Sequence, residues 1–163
     1  MTQPAWTPED TTLLIRTAVM SGIAVALSKT DSNRATLNEL AAIAPHFLDI
    51  ARKSSNPLLQ VLAGENEAVE MRTMTEQFTT NPATLKLQDI RPFALRRCDE
   101  LAEILAAKAT PEQAGEVKQA IIDTCQRVAE ETKTGAFLGM GGVRVSPEET
   151  ALIAEVRRAL KAA

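Results

Sequence analysis

Between Leu13 and Leu27 the chain reads LLIRTAVMSGIAVAL, with Arg16 as its one charge and apolar or small residues at nearly every angle around a helix. A helix apolar on most of its sides cannot lie on a surface and has to be surrounded by other elements. The stretch therefore predicts an all-α, single-domain helical bundle of five or six antiparallel helices around a central N-terminal helix. The chain's 163 residues suffice for one domain with a sizeable core. Aromatic residues are scarce, with four Phe, one Trp and no Tyr, so that core has to be filled by Ala, Leu, Ile, Val and Met.

Two other readings of the same run are disfavoured. The preceding MTQPAWTPED carries no basic segment, unlike a secretory signal. At about 15 residues, broken by Arg16, the run is also shorter than the roughly 20 that a bilayer span needs. Thr7-Pro8-Glu9-Asp10 instead starts a soluble helix, with a hydroxyl at the cap, proline in the first turn and a carboxylate at the third position. Residues 1–6 are expected to be a flexible N-terminus, with Trp6 able to fold back onto Leu13 or Leu14. Ala18, Gly22 and Ala26, four residues apart, form a ridge of small side chains that permits close crossing by a neighbour. The cytoplasm is the expected location.

The remaining helices follow from periodicity. Thr36 and Glu39 suggest a second capping box, ahead of a face made by Leu37, Leu40, Ala41, Ala44, Phe47, Leu48 and Ala51. Pro45 lies inside this pattern and is expected to kink or split it. A helix is predicted from Pro57 to about Gln77, with Gly64 as a point of bending. Asp89 can cap the next helix, whose inward face is Ile90, Phe93, Ala94, Cys98, Leu101 and Leu105. Thr110-Pro111-Glu112-Gln113 repeats the first start signature and opens a helix burying Ala114, Val117, Ile121, Cys125 and Val128. The short join at Ala109-Thr110 suggests an antiparallel hairpin. Ser146-Pro147-Glu148-Glu149 starts the last helix, with Leu152, Ile153, Val156 and Leu160 inward.

Chemistry is thinly represented. A di-iron bundle site needs Glu-x-x-His motifs, and the chain holds one histidine, His46, without one. Zinc would need more than His46, Cys98 and Cys125. Both cysteines fall at apolar helix positions and read as buried free thiols. No catalytic residue, metal ligand or cofactor site emerges. Net charge is -3 with the basic residues scattered, which gives nucleic acid little footing. Met71, Met74 and Phe78 form an adaptable apolar edge, read as core.

The candidate contact region is the glycine-rich loop over 135–146. Gly135, Gly139, Gly141 and Gly142 free its backbone and Arg144 adds a charge, while Phe137, Leu138 and Met140 read first as plugs capping the open end of the bundle, with contact to a ligand or partner as the alternative. Its spacing matches neither a dinucleotide-binding fingerprint nor a P-loop. This closing segment, GAFLGMGGVRVSPEE followed by an Ala/Leu helix, resembles the C-terminus of a group of small bacterial all-helical proteins. The resemblance covers about the last sixth of the chain. It implies a bacterial source and a loop shared across the group, and it transfers no activity to any residue.

The leading functional expectation is a binding module, acting on a protein partner or on a second copy as a homodimer. One alternative is a bundle holding a small apolar ligand in a cavity lined by the ridge of the first helix and closed by Phe137, Leu138 and Met140. Another is an enzyme whose site is assembled from scattered polar residues. Neither nucleic acid nor membrane is an expected partner.

Overall fold

The computed structural model describes residues 4–28, 33–80, 85–131 and 145–163. Among them seven α-helices follow one another: α1 Pro8–Leu27, α2 Asn33–Lys53, α3 Pro57–Gln60, α4 Glu65–Thr79, α5 Leu87–Lys108, α6 Pro111–Glu130 and α7 Pro147–Ala159. A 3-10 turn, Val61–Ala63, joins α3 to α4. Seven replaces the expected five or six because the helix predicted from Pro57 breaks. Gly64, a poor helix former, sits in extended backbone at φ −63°, ψ 150° and caps α4.

α1 is the axis of the bundle and packs against α2, α4, α5, α6 and α7. Between Leu14 and Ala26 every residue except Arg16 is buried. The helix has 20 residues, longer than the apolar run alone suggested. By length and composition it is able to cross a membrane, yet 78% of its most apolar window is covered by the other helices. The ridge of small residues is used for close crossing. A Cβ placed on Gly22 would lie 2.9 Å from Ile43 Cγ1, with two further Ile43 carbons within 3.1 Å. Ile43 of α2 therefore fills the notch that Gly22 leaves.

The three hydroxyl-proline starts form as read. Thr7, Thr110 and Ser146 each accept from the third helical N–H, and Asp10, Gln113 and Glu149 reach back to the cap backbone. Trp6 is half-buried against the core and donates from Nε1 to Thr11 Oγ1 at 2.9 Å. The fourth predicted box does not form. α2 begins at Asn33, so Glu39 lies well inside the helix and is fully buried. Nor does Asp89 cap α5: Lys86 holds that position without a side-chain bond, and Asp89 favours the first turn by its charge.

Pro45 neither ends nor divides α2. The carbonyl it deprives of a partner belongs to Ala41, and both residues face solvent, where water can satisfy that oxygen. Exposure of Ala41 also removes it from the predicted inward face. α5 and α6 join at Ala109-Thr110 as expected, but each packs more on α1 than on its hairpin partner. α7 then closes over α5 and α6.

Buried polar groups hold the ends together. Asp10 of α1 accepts from Lys108 Nζ at 2.6 Å, with the two side chains only 8% and 17% exposed. Burial pushes the Asp10 carboxyl up, but hydrogen bonds from Lys108 and Thr7 outweigh it and leave the carboxyl below its usual value. Along the α1–α5 seam, Thr17 Oγ1 donates to Leu13 O at 2.7 Å and lies 3.3 Å from Arg97 O. One turn on, Ser21 Oγ is 3.4 Å from Cys98 Sγ. Asn56 caps α3 through Leu58 N and donates to Gln113 O at 3.0 Å, tying the α2–α3 turn to α6.

Two stability outcomes are expected. Gly22→Leu should overpack the Ile43 contact and cost about 1–3 kcal/mol. Gly115→Ala, on an exposed helical position with open space around it, should instead stabilise by about 0.5–1 kcal/mol. Urea melts of the two variants check the contrast, and an unchanged midpoint for Gly22→Leu would remove the crossing from the core. Because the folded Asp10 carboxyl titrates below its unfolded value, its stabilisation is present above about pH 4 and is lost as pH falls through the folded value. Asp10→Asn should therefore be less stable than the parent at pH 6, with the gap closing towards pH 2. A gap constant across urea melts in that range would exclude the linkage.

Candidate functional site

The sequence-based candidates Gly135, Phe137, Leu138, Gly139, Met140, Gly141, Gly142 and Arg144 all lie outside the described residues. Their described flanks are Glu131 and Val145. Glu131 Oε2 is 2.9 Å from His46 Nε2, and one turn back along α6 and one turn on along α2 Arg127 donates to Asp49 at 3.1 Å. His46 thus belongs to a polar seam between α2 and α6. Among the described residues no group of three or more His, Cys, Asp or Glu side chains is arranged to hold a metal ion.

The cysteines are buried and free. Burial pushes the Cys98 thiol up to about 11, against a smaller opposing effect of the Ser21 contact. Cys125 is raised further by burial and by Cys98 nearby. Neither is a thiolate at neutral pH, so neither is a nucleophile.

The small-residue ridge does not line a hollow at Gly22, because Ile43 occupies that space. The arrangement best suited to a ligand is on the surface. α4 and α5 both pack on α1 and scarcely on each other. Between them α1 reaches solvent, and a hollow of about 340 Å³ opens there, lined by Arg16, Met20, Met74, Gln77, Phe78, Phe93 and Arg97. Three helices each contribute a pair four residues apart: Arg16 and Met20, Met74 and Phe78, Phe93 and Arg97. Such spacing places both members of a pair on one helical face.

Met20 is nearly buried and forms apolar floor, with Met74 and Phe78 half-buried beside it. Phe93 stands at the rim, 50% exposed, with the Arg96 guanidinium 5.8 Å from its ring centroid. This corrects its expected inward position; Ile90, Ala94, Cys98, Leu101 and Leu105 do point inward. Arg97 donates to both carboxylate oxygens of Glu100, at 2.6 and 2.7 Å. Arg16 makes no ion pair among the described residues.

A second hollow, of about 680 Å³, lies at the α5–α6 corner over Leu105, Ala109 and Ala114. Its walls are mostly alanine and glycine, and its Lys118 ammonium is bound to Lys161 O at 3.2 Å. Its lining holds no aromatic or methionine side chain.

Of the apolar edge read as core, Met71 is core, whereas Met74 and Phe78 are half-buried and line the cleft. Arg16 stood out only as the charge in the apolar run and Phe93 only as part of an inward face, and Met20 and Arg97 by themselves carried no signal of a site. The i, i+4 pairing of an arginine with a large apolar residue on two different helices was the available signal. Compared with known protein families, curated proteins and solved structures, the chain matches none.

The thiols should resist labelling by Ellman's reagent in the native protein and react together once denaturant unfolds the bundle. Fast native labelling of either cysteine would contradict its burial.

Proposed function

We propose that the protein is a recognition module which binds a segment of another protein in the cleft between α1, α4 and α5. The observation that carries this reading is the cleft itself: methionine and phenylalanine side chains framed by guanidinium groups, at the place where the central helix meets solvent. Large thioether and aromatic side chains dominate contacts at protein interfaces, and arginine is enriched there with them. Methionine adapts its shape to irregular partners. The hollow is open on one side, whereas a small-molecule pocket encloses most of its ligand. A protein segment laid across it covers the exposed Phe93 and meets the Arg16 charge.

Site-specific photo-crosslinking in the host tests this. A crosslinker replacing Gln77, an exposed residue of the cleft, should give a discrete protein adduct. The same group replacing exposed Asp123 on α6 should not. Equal adduct patterns from the two positions would dispose of the cleft as a recognition site.

A further inference from the structure

We infer that the segment received by the cleft is an acidic amphipathic helix, with apolar side chains at i, i+4 spacing and carboxylates on their flank. This rests on the reading of the cleft as a protein-recognition site and adds the chemistry of its occupant.

The charges decide the sign. Arg16 and Arg97 line the cleft and Arg96 lies over Phe93 at its rim. The carboxylate placed among them is Glu100, which occupies Arg97. Arg16 is the sole charge on α1 between Leu13 and Leu27, and it has no ion-pair partner among the described residues. An incoming carboxylate gains a guanidinium at Arg16 without breaking an existing pair. An incoming cation meets only like charge there.

The apolar side chains set the shape. Met74 and Phe78 on α4 and Phe93 on α5 bound a trough floored by Met20. A helix laid into a hydrophobic trough presents residues one turn apart as its anchors. Two such anchors reach the floor and walls while the next face of the same helix carries acids to the arginine rim. The lip nearest α4 carries the neutral Gln77. Recognition is therefore polarised towards the α1 and α5 side.

Glu100 gives the site a built-in competitor. Its two hydrogen bonds hold Arg97 along α5, so a partner carboxylate shares or displaces them. Removal of the Glu100 charge frees Arg97 and raises affinity for an acidic helix.

Fluorescence anisotropy with labelled synthetic helices tests the inference on the intact protein. The probe carries leucines at i, i+4 and i+7 with flanking glutamates; matched probes carry glutamine or lysine in their place, and a medium-chain fatty acid serves as a separate competitor. The glutamate probe should bind, with the glutamine probe at least about fivefold weaker and the lysine probe weaker again. Arg16→Glu should weaken the glutamate probe about tenfold, and Glu100→Gln should strengthen it about two- to threefold. Raising the salt from 50 to 500 mM should lower its affinity. Arg16, Glu100 and Phe93 are not fully buried, and unchanged circular-dichroism melts of their variants confirm that each fold is intact.

Equal binding of glutamate and glutamine probes, abolished by Phe93→Ala, would overturn the acidic occupant while leaving the cleft as a protein site. Tight binding of the fatty acid with no binding of any helix would overturn it in favour of a small amphiphile. So would a crosslink from the Gln77 position to a second copy that Arg16→Glu leaves unchanged. If no helix binds and the Gln77 crosslink is also absent, the reading of the cleft fails with the inference.

Discussion

The fold rests on the covering of nearly all of α1. A helix with almost no polar face gains stability only where neighbours close around it, and five other helices do so here. Each buried leucine, isoleucine or valine contributes on the order of 1.5–3 kcal/mol relative to exposure. Such covering limits side-chain size at the crossings. At Gly22 the α2 helix approaches until Ile43 stands where a side chain would be. Ile43 is β-branched and fully buried, so it has little freedom to move aside. The same crowding explains the alanines at positions 18, 24 and 26 and the small hydroxyl residues Thr17 and Ser21, which satisfy themselves at the seam with α5.

An axial helix also makes its ends sensitive. Its N-terminal box holds Asp10, and that carboxylate is shared with Lys108 at the far end of α5. One residue therefore sets where α1 begins and ties that start to a helix nearly a hundred residues later. Both groups are mostly removed from water, so loss of either leaves the other costly to bury. The analogous box at Thr110 is tied in differently: the Gln113 backbone carbonyl accepts from the Asn56 side chain.

The cleft follows from an imperfection in the covering. Five neighbours close the circumference except where α4 and α5 fail to meet, and the one charged position of the axis faces that gap. Arg16 thus has a structural reason to be charged, since any apolar residue there would be exposed to water. It has a chemical consequence as well, because a guanidinium beside methionine and phenylalanine selects what can cover the gap. Exposed Phe93 lies on the same opening, stacked under Arg96.

Much of the fold was legible in the chain. The all-round apolar run demanded an axis, and three local cap signatures marked helix starts, because a capping box involves only residues within one turn. The inward faces of α6 and α7 followed from period alone. What local pattern misjudged was decided by distant neighbours. Thr36 and Glu39 had the spacing of a box, but α2 began earlier and buried Glu39. Pro45 had the look of a break, but its orphaned carbonyl faced water and the helix continued. Phe93 had an inward period, yet among the described residues no helix covers it. The candidate site was legible only as fragments, two residues of an apolar edge and one charge in an apolar run, because it is made by three helices far apart in the chain. From its residues alone α1 had to be enclosed, since its apolar surface has no other stable place. Where the enclosure stays open emerged with the packing, because that depends on which neighbours meet.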